Sequence, residues 1–211
     1  MQRVALIDYG SGNLRSAEKA LVRVAQGQAE IVVTDDPEAI ARADRVVLPG
    51  VGAFAACMSA LEARRGVIAA ITEAVQGRGA PFLGICVGMQ LLATRGLEFG
   101  ETTGLDWIGG DVKKLAPADP AIKVPHMGWN TLVGVTDHPL FAPLQSGEAV
   151  YFTHSFAIFP EDSADVSAYV EHGGRFPAAV ARGNVAGVQF HPEKSQKPGL
   201  ALLQRFLEWR P

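Results

Sequence analysis

Short apolar runs alternate with helical patterns through the first hundred residues, and this alternation constrains the fold more than any other feature. The apolar runs lie near Val4–Asp8, Glu30–Thr34, Arg45–Leu48 and Pro81–Ile85. Helical patterns separate them, the first over Leu14–Ala25. Continuous apolar strands linked by helices are typical of a parallel sheet covered on both faces. The sequence therefore predicts an α/β fold with a mostly parallel central sheet and helices on both faces.

The later part of the chain has a different texture. Between Trp107 and Phe190, Gly, Pro and Asn residues punctuate short strands, and a hairpin turn is predicted at His172–Arg175. This region is expected to add an antiparallel extension to the sheet. No linker or repeat divides the chain, so residues 1–211 are expected to form a single domain. The remaining helices are predicted to start at Asp35–Glu38 and to cover about Ala53–Leu61, Val67–Gln76, Met89–Thr94 and Leu200–Trp209.

Composition narrows the classes of function. Of the 211 residues, 48% are hydrophobic and 19% are charged, which is typical of a globular chain rather than a disordered one. The net charge of −3, with no Lys/Arg cluster, argues against nucleic acid or an anionic membrane as a partner. No apolar run reaches the roughly 18 residues of a membrane span. With only Cys57 and Cys86, no disulfide framework is predicted, and a location in the reducing cytoplasm is expected.

The sharpest local signal is the segment Gly84–Gly88, which reads Gly-Ile-Cys-Val-Gly. It lies between a predicted strand and a predicted helix, as a nucleophile elbow does, and its glycines permit a tight turn that holds a reactive side chain strained and exposed. The positive end of the following helix would favour the thiolate of Cys86. A cysteine taken alone is most often a buried apolar residue, which is the interpretation for Cys57. The two glycines and the order of elements make Cys86 the candidate nucleophile.

A nucleophilic cysteine needs a base, and His191 is the best placed of the five histidines. It follows an apolar strand, where parallel sheets place their sites. Pro192 favours an extended backbone before it, so Glu193 can reach the His191 ring and fix its tautomer, as the acid of a triad does. The other histidines are expected either in solvated turns or hydrogen-bonded in structural roles: His138 and His172 in the first group, His126 and His154 in the second.

Acyl transfer also needs an oxyanion hole built from backbone N–H groups. The loop Pro49–Phe54 follows the third strand and leads into a helix, so its amides could point toward a developing oxyanion, although an ordinary strand–helix loop fits it as well. A second Gly-rich turn, at Asp8–Asn13, does not fit a dinucleotide fingerprint, because Arg15 stands where the third glycine is needed. No His, Cys, Asp or Glu group has metal-ligand spacing, so neither a metal nor another cofactor is expected.

These motifs together resemble the class I, triad-type glutamine amidotransferases, which combine a Gly-x-Cys-x-Gly elbow with a late His-Pro-Glu. Four segments make the resemblance more specific, toward the glutaminase subunits of imidazole glycerol phosphate synthases: Asp8–Leu14, Pro49–Phe54, His126–Asn130 and Gln189–Ser195. The similarity runs from residue 4 to about residue 209, and no motif position departs from the pattern. It implies the fold of that family, hydrolysis of L-glutamine to glutamate and ammonia, and a role in histidine biosynthesis.

The resemblance also implies roles for individual residues. Cys86 would attack the side-chain amide of L-glutamine, His191 would transfer the proton, and Glu193 would orient His191. Further positions would bind the substrate, with amides for the oxyanion at Gly50, Val51, Gly52 and Val87 and the grip on the amino-acid part at Gln90, Ser155 and Phe156.

In that family the ammonia passes to a cyclase subunit, a (β/α)₈ barrel, so a heterodimer with such a subunit is implied. Large side chains in the later part of the chain exceed what a small active-site rim requires, and aromatic residues are frequent interface anchors. About half of them would equally serve to fill the core. The positions expected at this interface are Asn13, Trp129, Asn130, Tyr151 and Lys194, the last two at the ammonia passage.

Two alternatives stay open at this stage. A related glutaminase could serve another synthase, for pyridoxal phosphate, purines or anthranilate, with the same three residues. A binding module on the same fold with an inactive triad is the non-enzymatic alternative. The presence of Cys86, His191 and Glu193 argues against that second alternative.

Overall fold

The computed structural model describes all residues from Met1 to Pro211, as thirteen strands and six α-helices. The strands are β1 (Gln2–Ile7), β2 (Ala29–Thr34), β3 (Arg45–Gly50), β4 (Phe82–Cys86), β5 (Arg95–Gly96), β6 (Thr102–Thr103), β7 (Gly110–Lys114), β8 (His126–Val133), β9 (Ala149–His154), β10 (Phe156–Pro160), β11 (Val166–Glu171), β12 (Arg175–Arg182) and β13 (Val185–Val188). The helices are α1 (Leu14–Ala25), α2 (Pro37–Ala41), α3 (Phe54–Glu62), α4 (Val67–Thr72), α5 (Val87–Gln90) and α6 (Gln196–Glu208).

Nine of the strands form one sheet in the order β2-β1-β3-β4-β13-β12-β11-β8-β9. The first five run parallel to one another, and the other four pair antiparallel. The predicted α/β class, with a parallel core and an antiparallel extension, is therefore confirmed. The hairpin between β11 and β12 is also confirmed at its predicted place. Four further strands form a second sheet, β10-β7-β5-β6, in which Phe159 of β10 packs against Phe176 of β12 in the large sheet.

The direction of the crossovers places helices on both faces. The β1–β2 connection runs one way across the sheet, whereas the β2–β3 and β3–β4 connections run the other way. Because crossovers between parallel strands are right-handed, α1 lies on the opposite face from α2, α3 and α4. In keeping with this, α1 packs against α6, and α2 packs against α4.

Strand β13 joins the sheet beside β4, with Val188 paired to Ile85. The two strands are parallel, so their carboxyl ends meet at the same edge. This register brings the segment after β13, which carries His191, next to Cys86 at the end of β4. Strand β3 pairs with β4 on the other side and places Gly50 opposite Cys86.

Helix boundaries show where tertiary contacts override local pattern. The helix predicted over Met89–Thr94 begins instead at Val87 and ends after Gln90, and the Thr94 N–H donates to the Gly110 carbonyl of β7 rather than to a carbonyl of the helix. Helix α4 ends at Thr72, and a π-helical turn replaces the predicted last turn. Helix α1 has its predicted bounds, and α2 begins within the predicted segment, where the Asp36 side chain accepts a bond from the Glu38 N–H. The longest helix has 13 residues, so none has the length of an apolar membrane span.

Candidate active site

Cys86 stands at the junction of β4 and α5, as the elbow pattern predicts. Its backbone has φ 55° and ψ −113°, a strained conformation for a residue with a side chain. Both flanking glycines are required by packing. A side-chain carbon at Gly84 would collide with the Gly88 carbonyl, and one at Gly88 would collide with the Leu48 carbonyl. The prediction of an exposed thiol is wrong, because Cys86 is only 3% exposed and lies in the wall of a cavity.

The predicted help from a helix dipole at Cys86 is also weaker than expected. Helix α5 has four residues, and a single turn aligns few peptide dipoles. A side chain provides a direct contact instead, since Gln189 Nε2 lies 3.6 Å from Cys86 Sγ as a hydrogen-bond donor. Gln189 itself is fully buried. Gln189 thus places a hydrogen-bond donor against the sulfur, where it stabilises negative charge.

His191 and Glu193 form the predicted pair. His191 Nδ1 lies 2.8 Å from Glu193 Oε1, and each side chain is only 1% exposed. The carboxylate can only accept, so Nδ1 carries the proton and Nε2 is left as a base. Neither His191 Nε2 nor Glu193 Oε2 has a hydrogen-bond partner within the protein. His191 and Cys86 line the same cavity, so the free nitrogen and the thiol share it.

The charge state of His191 follows from its partners. Burial of the ring favours the neutral form, but the interactions with Cys86 and Glu193 favour the imidazolium more strongly and raise its pKa to about 9. A protonated His191 places a positive charge at the cavity that Cys86 also lines.

Asn13 lies against this pair rather than only at the surface. It precedes α1 with φ 70°, and its side chain does not cap the helix. Instead, Asn13 Nδ2 donates to Glu193 Oε1 and lies 3.5 Å from His191 Nδ1. The Glu193 carboxylate is thus held from two sides.

The loop after β3 lies beside Cys86, but its amides are held by other groups. Val51 N–H donates to Ser11 Oγ at 2.9 Å, and Cys57 Sγ is placed to donate to the Val51 carbonyl at 3.5 Å. Cys57 is buried in the core, as predicted. Gly52 has φ +107°, where only glycine is unstrained. In this conformation the Val51 N–H donates to Ser11 and is not available to a ligand in the cavity.

The cavity beside Cys86 has a volume of about 270 Å³, at the small end for a ligand pocket. Most of the substrate-binding positions expected from the sequence line it. Gln90 Nε2 is bonded to the Phe156 carbonyl at 2.8 Å and to Gln189 Oε1 at 3.0 Å. Gly50, paired with Cys86 across the sheet, is packed behind the cavity rather than in its wall. The lining consists of Val51, Gly52, Cys86, Val87, Gln90, Glu98, Pro125, Thr153, His154, Ser155, Phe156 and His191.

Glu98 and His154 in this lining had no predicted role in the site. Glu98 comes from the loop after β5, and its carboxylate accepts a bond from the Phe54 N–H at the start of α3. That loop carries no spacing pattern from which its position could be inferred. No three His, Cys, Asp or Glu side chains of the protein converge so as to hold a metal ion.

The positions expected at a partner interface lie on neighbouring surfaces. Trp129 is 50% exposed and meets Tyr151 edge-on, and Lys194 lies over the Tyr151 ring. The Tyr151 backbone is tied to the site, since its carbonyl accepts from the His191 N–H at 2.9 Å. Asn130 differs, because its side chain turns inward and is only partly exposed.

Two of the remaining histidines are not solvated as predicted. His138 starts a turn, but its ring packs on Phe141 and Trp209, and burial lowers its pKa. His172 stacks on His126 with centroids 4.2 Å apart. Long-range packing therefore covers both turns. The expected structural role of His126 and His154 is confirmed by their 3.0 Å hydrogen bond in the core.

The sequence matches the Glutamine amidotransferase class-I family over residues 5–209. It is 63% identical to "Imidazole glycerol phosphate synthase subunit HisH" of Caulobacter vibrioides, with 100% of both chains covered. The HisH subunit of Rhodospirillum rubrum is 56% identical, over 99% of this chain and 100% of that one. That of Zymomonas mobilis is 57% identical, over 99% of this chain and 96% of the relative.

Solved structures of low sequence identity share the fold. One glutamine amidotransferase crystal structure has a TM-score of 0.71 at 20% identity, over 97% of both chains. The Trypanosoma brucei CTPS glutaminase domain with bound acivicin has a TM-score of 0.65 at 14% identity, over 100% of this chain and 96% of that one. The chain thus belongs to the class-I glutamine amidotransferase family and, within it, to the group of HisH subunits of imidazole glycerol phosphate synthase.

Proposed function

We propose that this chain is the glutaminase subunit of an imidazole glycerol phosphate synthase. It hydrolyses L-glutamine to glutamate and ammonia and supplies the ammonia for a step of histidine biosynthesis. This chain is 63% identical to a HisH subunit, and one observation on its structure carries the proposal. A strained Cys86 opens onto the same cavity as His191, whose other ring nitrogen is bound by Glu193.

In the first half-reaction, Cys86 Sγ attacks the side-chain amide carbon of glutamine. The thiol proton is held on His191 Nε2, and the ring is then an imidazolium, since Nδ1 already carries the proton donated to Glu193. The carbon–nitrogen bond then breaks, and His191 gives the proton to the leaving nitrogen. The products of this step are ammonia and a γ-glutamyl thioester on Cys86.

In the second half-reaction, water attacks the thioester carbon, and His191 takes a proton from that water. The carbon–sulfur bond breaks, and the proton returns to Cys86 as glutamate leaves. The net change is glutamine plus water to glutamate plus ammonia, with no redox step. Glu193 keeps the ring oriented and stabilises the imidazolium in both halves.

The oxyanion of each tetrahedral intermediate needs backbone donors. Val87 begins α5, and the first N–H groups of a helix have no partner within it, so its amide is one donor. The second donor comes from the loop Val51–Gly52. Because Ser11 holds the Val51 N–H, this peptide has to turn before it can serve. The conformation in which Ser11 holds the Val51 N–H is therefore a resting state.

The amino-acid part of glutamine has charged ends that need partners in the cavity. Glu98 is a carboxylate in the lining outside the triad, and we assign it to the α-ammonium group. Gln90 and the backbone of Ser155 and Phe156 hold the remaining polar groups. These assignments rest on the position of the side chains around the cavity and on their chemistry.

The partner is a cyclase subunit with a (β/α)₈-barrel fold, bound as a heterodimer. Its binding face on this chain centres on Met127 and Trp129, which are 65% and 50% exposed on strand β8. Exposed large apolar side chains next to a basic residue, here Lys194, are typical of interface anchors. Tyr151 and Asn13 extend the face toward the active site, whereas the Asn130 side chain makes its hydrogen bonds within the protein.

We also treat residues 1–211 as one domain, since a single core of 59 buried residues includes side chains from both halves of the large sheet. A catalytic thiol has to stay reduced, so the reaction is assigned to the cytoplasm.

The test is glutamate release from L-glutamine by this chain alone and with the cyclase subunit and its nucleotide substrate. Cys86→Ala serves as the blank. We expect release that rises sharply in the full mixture and disappears in the blank. Strong release that ignores the cyclase would reassign the ammonia to another synthase. No release in any mixture would overturn the glutaminase function and leave a binding module.

A further inference from the structure

A chain of hydrogen bonds runs from strand β8 to the active-site cavity. Asn130 Nδ2 lies 3.1 Å from His126 Nε2, and His126 Nδ1 lies 3.0 Å from His154 Nε2. His154 Nδ1 in turn lies 3.0 Å from the carbonyl of Phe156, which lines the cavity. Three side chains thus connect a surface strand to the substrate pocket.

Only one arrangement of protons satisfies this chain. The Phe156 carbonyl can only accept, so His154 Nδ1 carries a proton and His154 Nε2 accepts from His126 Nδ1–H. His126 Nε2 must then accept from the Asn130 amide. Both rings are neutral in this arrangement, because a second proton on either would place two donors face to face.

The protonation state agrees with this geometry. Burial and the neighbouring His154 and His172 lower the pKa of His126 to about 3. Burial also lowers the pKa of His154 to about 4, although its hydrogen bond to the Phe156 carbonyl acts in the opposite direction. Stacking of His126 on Phe152, with centroids 4.6 Å apart, and on His172 fixes its ring plane and hence the direction of its bonds.

The Phe156 carbonyl is also the acceptor that orients the substrate-binding amide. Gln90 Nε2 donates to this carbonyl and to Gln189 Oε1, and Gln189 Nε2 donates to Cys86 Sγ. A displacement of the carbonyl would therefore move the Gln90 amide. If His126 and His154 only filled space in the core, apolar side chains could replace them.

We propose that His126 and His154 are positioning residues for glutamine binding, which hold the Phe156 carbonyl and through it the Gln90 amide. The inference rests on the proposed glutaminase function. It assigns no proton transfer to these histidines. Their loss weakens the binding of glutamine and changes the chemical step little.

Two variants of His126 separate hydrogen bonding from packing. In His126→Asn the amide nitrogen takes the place of Nδ1 and can still donate to His154. In His126→Gln the amide lies farther out, near the place of Nε2, so the bond to His154 is lost. Both remove the aromatic ring. His138→Asn, at a histidine that takes no part in this chain of hydrogen bonds, controls for the loss of a half-buried ring.

We expect a split between KM and kcat for glutamate release in the presence of the cyclase subunit and its nucleotide. His126→Gln raises the KM for glutamine by roughly 10-fold, the equivalent of one hydrogen bond, with kcat within about 3-fold. His126→Asn and His138→Asn stay within about 3-fold of the parent in both. Equal KM values in the two His126 variants, or a loss confined to kcat, would overturn the inference.

A measurement without turnover covers the case in which a variant fails to fold. Nitrogen-15 spectra of the parent chain at pH 7 should show both His126 and His154 as neutral rings with the proton on Nδ1. The proton on Nε2 of either ring would overturn the inference. A parent chain that releases no glutamate in any mixture would overturn the proposed function, while the spectra still decide the hydrogen-bond chain.

Discussion

The His191–Glu193 pair and the His126–His154 pair are two buried histidine sites at the same cavity with opposite charge states. His191 and His154 both donate from Nδ1, the first to a carboxylate at 2.8 Å and the second to a carbonyl at 3.0 Å. The pKa of His191 is raised to about 9, whereas that of His154 is lowered to about 4. Burial favours the neutral ring at both sites.

The difference shows that the partner decides the charge of a buried histidine. At His191 the interactions with Cys86 and Glu193 outweigh the cost of removing an imidazolium from water. At His154 the partners are a carbonyl and a second histidine, which cannot offset that cost. The first site can therefore hold and transfer a proton, and the second can only direct hydrogen bonds.

Glu193→Gln breaks the comparison at its strongest point. The amide keeps an acceptor for His191 but removes the negative charge, so the pKa of His191 falls from its raised value. We expect kcat for glutamate release to drop by roughly 10²- to 10⁴-fold, as for neutralised acids in other triads. On the alkaline side of the pH profile, the residual activity of Glu193→Gln should be lost at a lower pH than the activity of the parent.

The measurement is a pH profile of glutamate release between pH 6 and 10, with the cyclase subunit present. Glu208→Gln, at the exposed end of α6, is the matched control and should follow the parent. An alkaline limb at the same pH in Glu193→Gln and parent would show that Glu193 does not set the charge of His191.

Acid titration of stability sharpens the comparison from the other side. Because the pKa values of His126 and His154 lie below the ordinary histidine value, the unfolded chain takes up protons that the folded chain does not. Stability is therefore lost as pH falls from about 6.5 toward the lowered pKa values, with a slope of up to roughly 1.4 kcal/mol per pH unit for each ring. His191 contributes in the opposite sense, since its raised pKa adds stability that is lost as pH rises through about 9.

The check is urea unfolding of the parent and His126→Phe at intervals from pH 4 to pH 8. The phenyl ring keeps the stacking on Phe152 and His172 and removes one titrating group. We expect a shallower acid slope in the variant and parallel curves between pH 7 and 8. Identical slopes below pH 6.5 would mean that His126 is already charged in the folded chain.

Asn13→Ala tests how firmly the carboxylate of the charged pair is held. Asn13 donates to the same Glu193 oxygen that accepts from His191. Its removal leaves the charge but frees the carboxylate to move, so we expect a loss of kcat of roughly 3- to 10-fold. Asn13→Asp should be worse, because it places a second negative charge beside Glu193.

Asn13 was also expected at the partner interface, so affinity has to be measured separately. Titration with the cyclase subunit, followed by fluorescence, gives that affinity. A loss of activity that saturating cyclase restores would assign Asn13 to the interface alone.

The sequence predicts those parts of the site that depend on neighbours along the chain. The Cys86 turn and the His191–Glu193 pair are each encoded within five residues, and the structure contains both. Contacts between distant loops were not predictable. Asn13 meets Glu193 across 180 positions, and Ser11 meets Val51 across 40.

The predicted length of the helix after Cys86 is wrong for the same physical reason. The pattern after Cys86 suits a helix to Thr94, but the Thr94 N–H donates to the distant Gly110 carbonyl on β7. His172 was expected in solvent because a hairpin turn usually is, and only the tertiary fold brings His126 against it. Periodicity carries no information on such partners.

Ser11→Ala is expected to have the smallest effect, and it separates the two sides of the cavity. The proposed mechanism needs an oxyanion donor as well as a charged His191, but the hydroxyl of Ser11 holds the Val51 N–H at 2.9 Å. Loss of the hydroxyl frees this peptide to turn. Glutamate release by the chain without cyclase should rise by roughly 2- to 10-fold, the range of one hydrogen bond.

The same substitution should leave release in the full complex almost unchanged, because the proposed mechanism requires the Ser11 bond to be broken there already. The ratio between the two rates therefore shrinks, and Ser59→Ala, at an exposed position of α3, should leave it as in the parent. If Ser11→Ala lowered release both with and without the cyclase, the hydroxyl would be supporting the active loop. The low activity expected of the free chain would then have to arise at His191 or at Cys86.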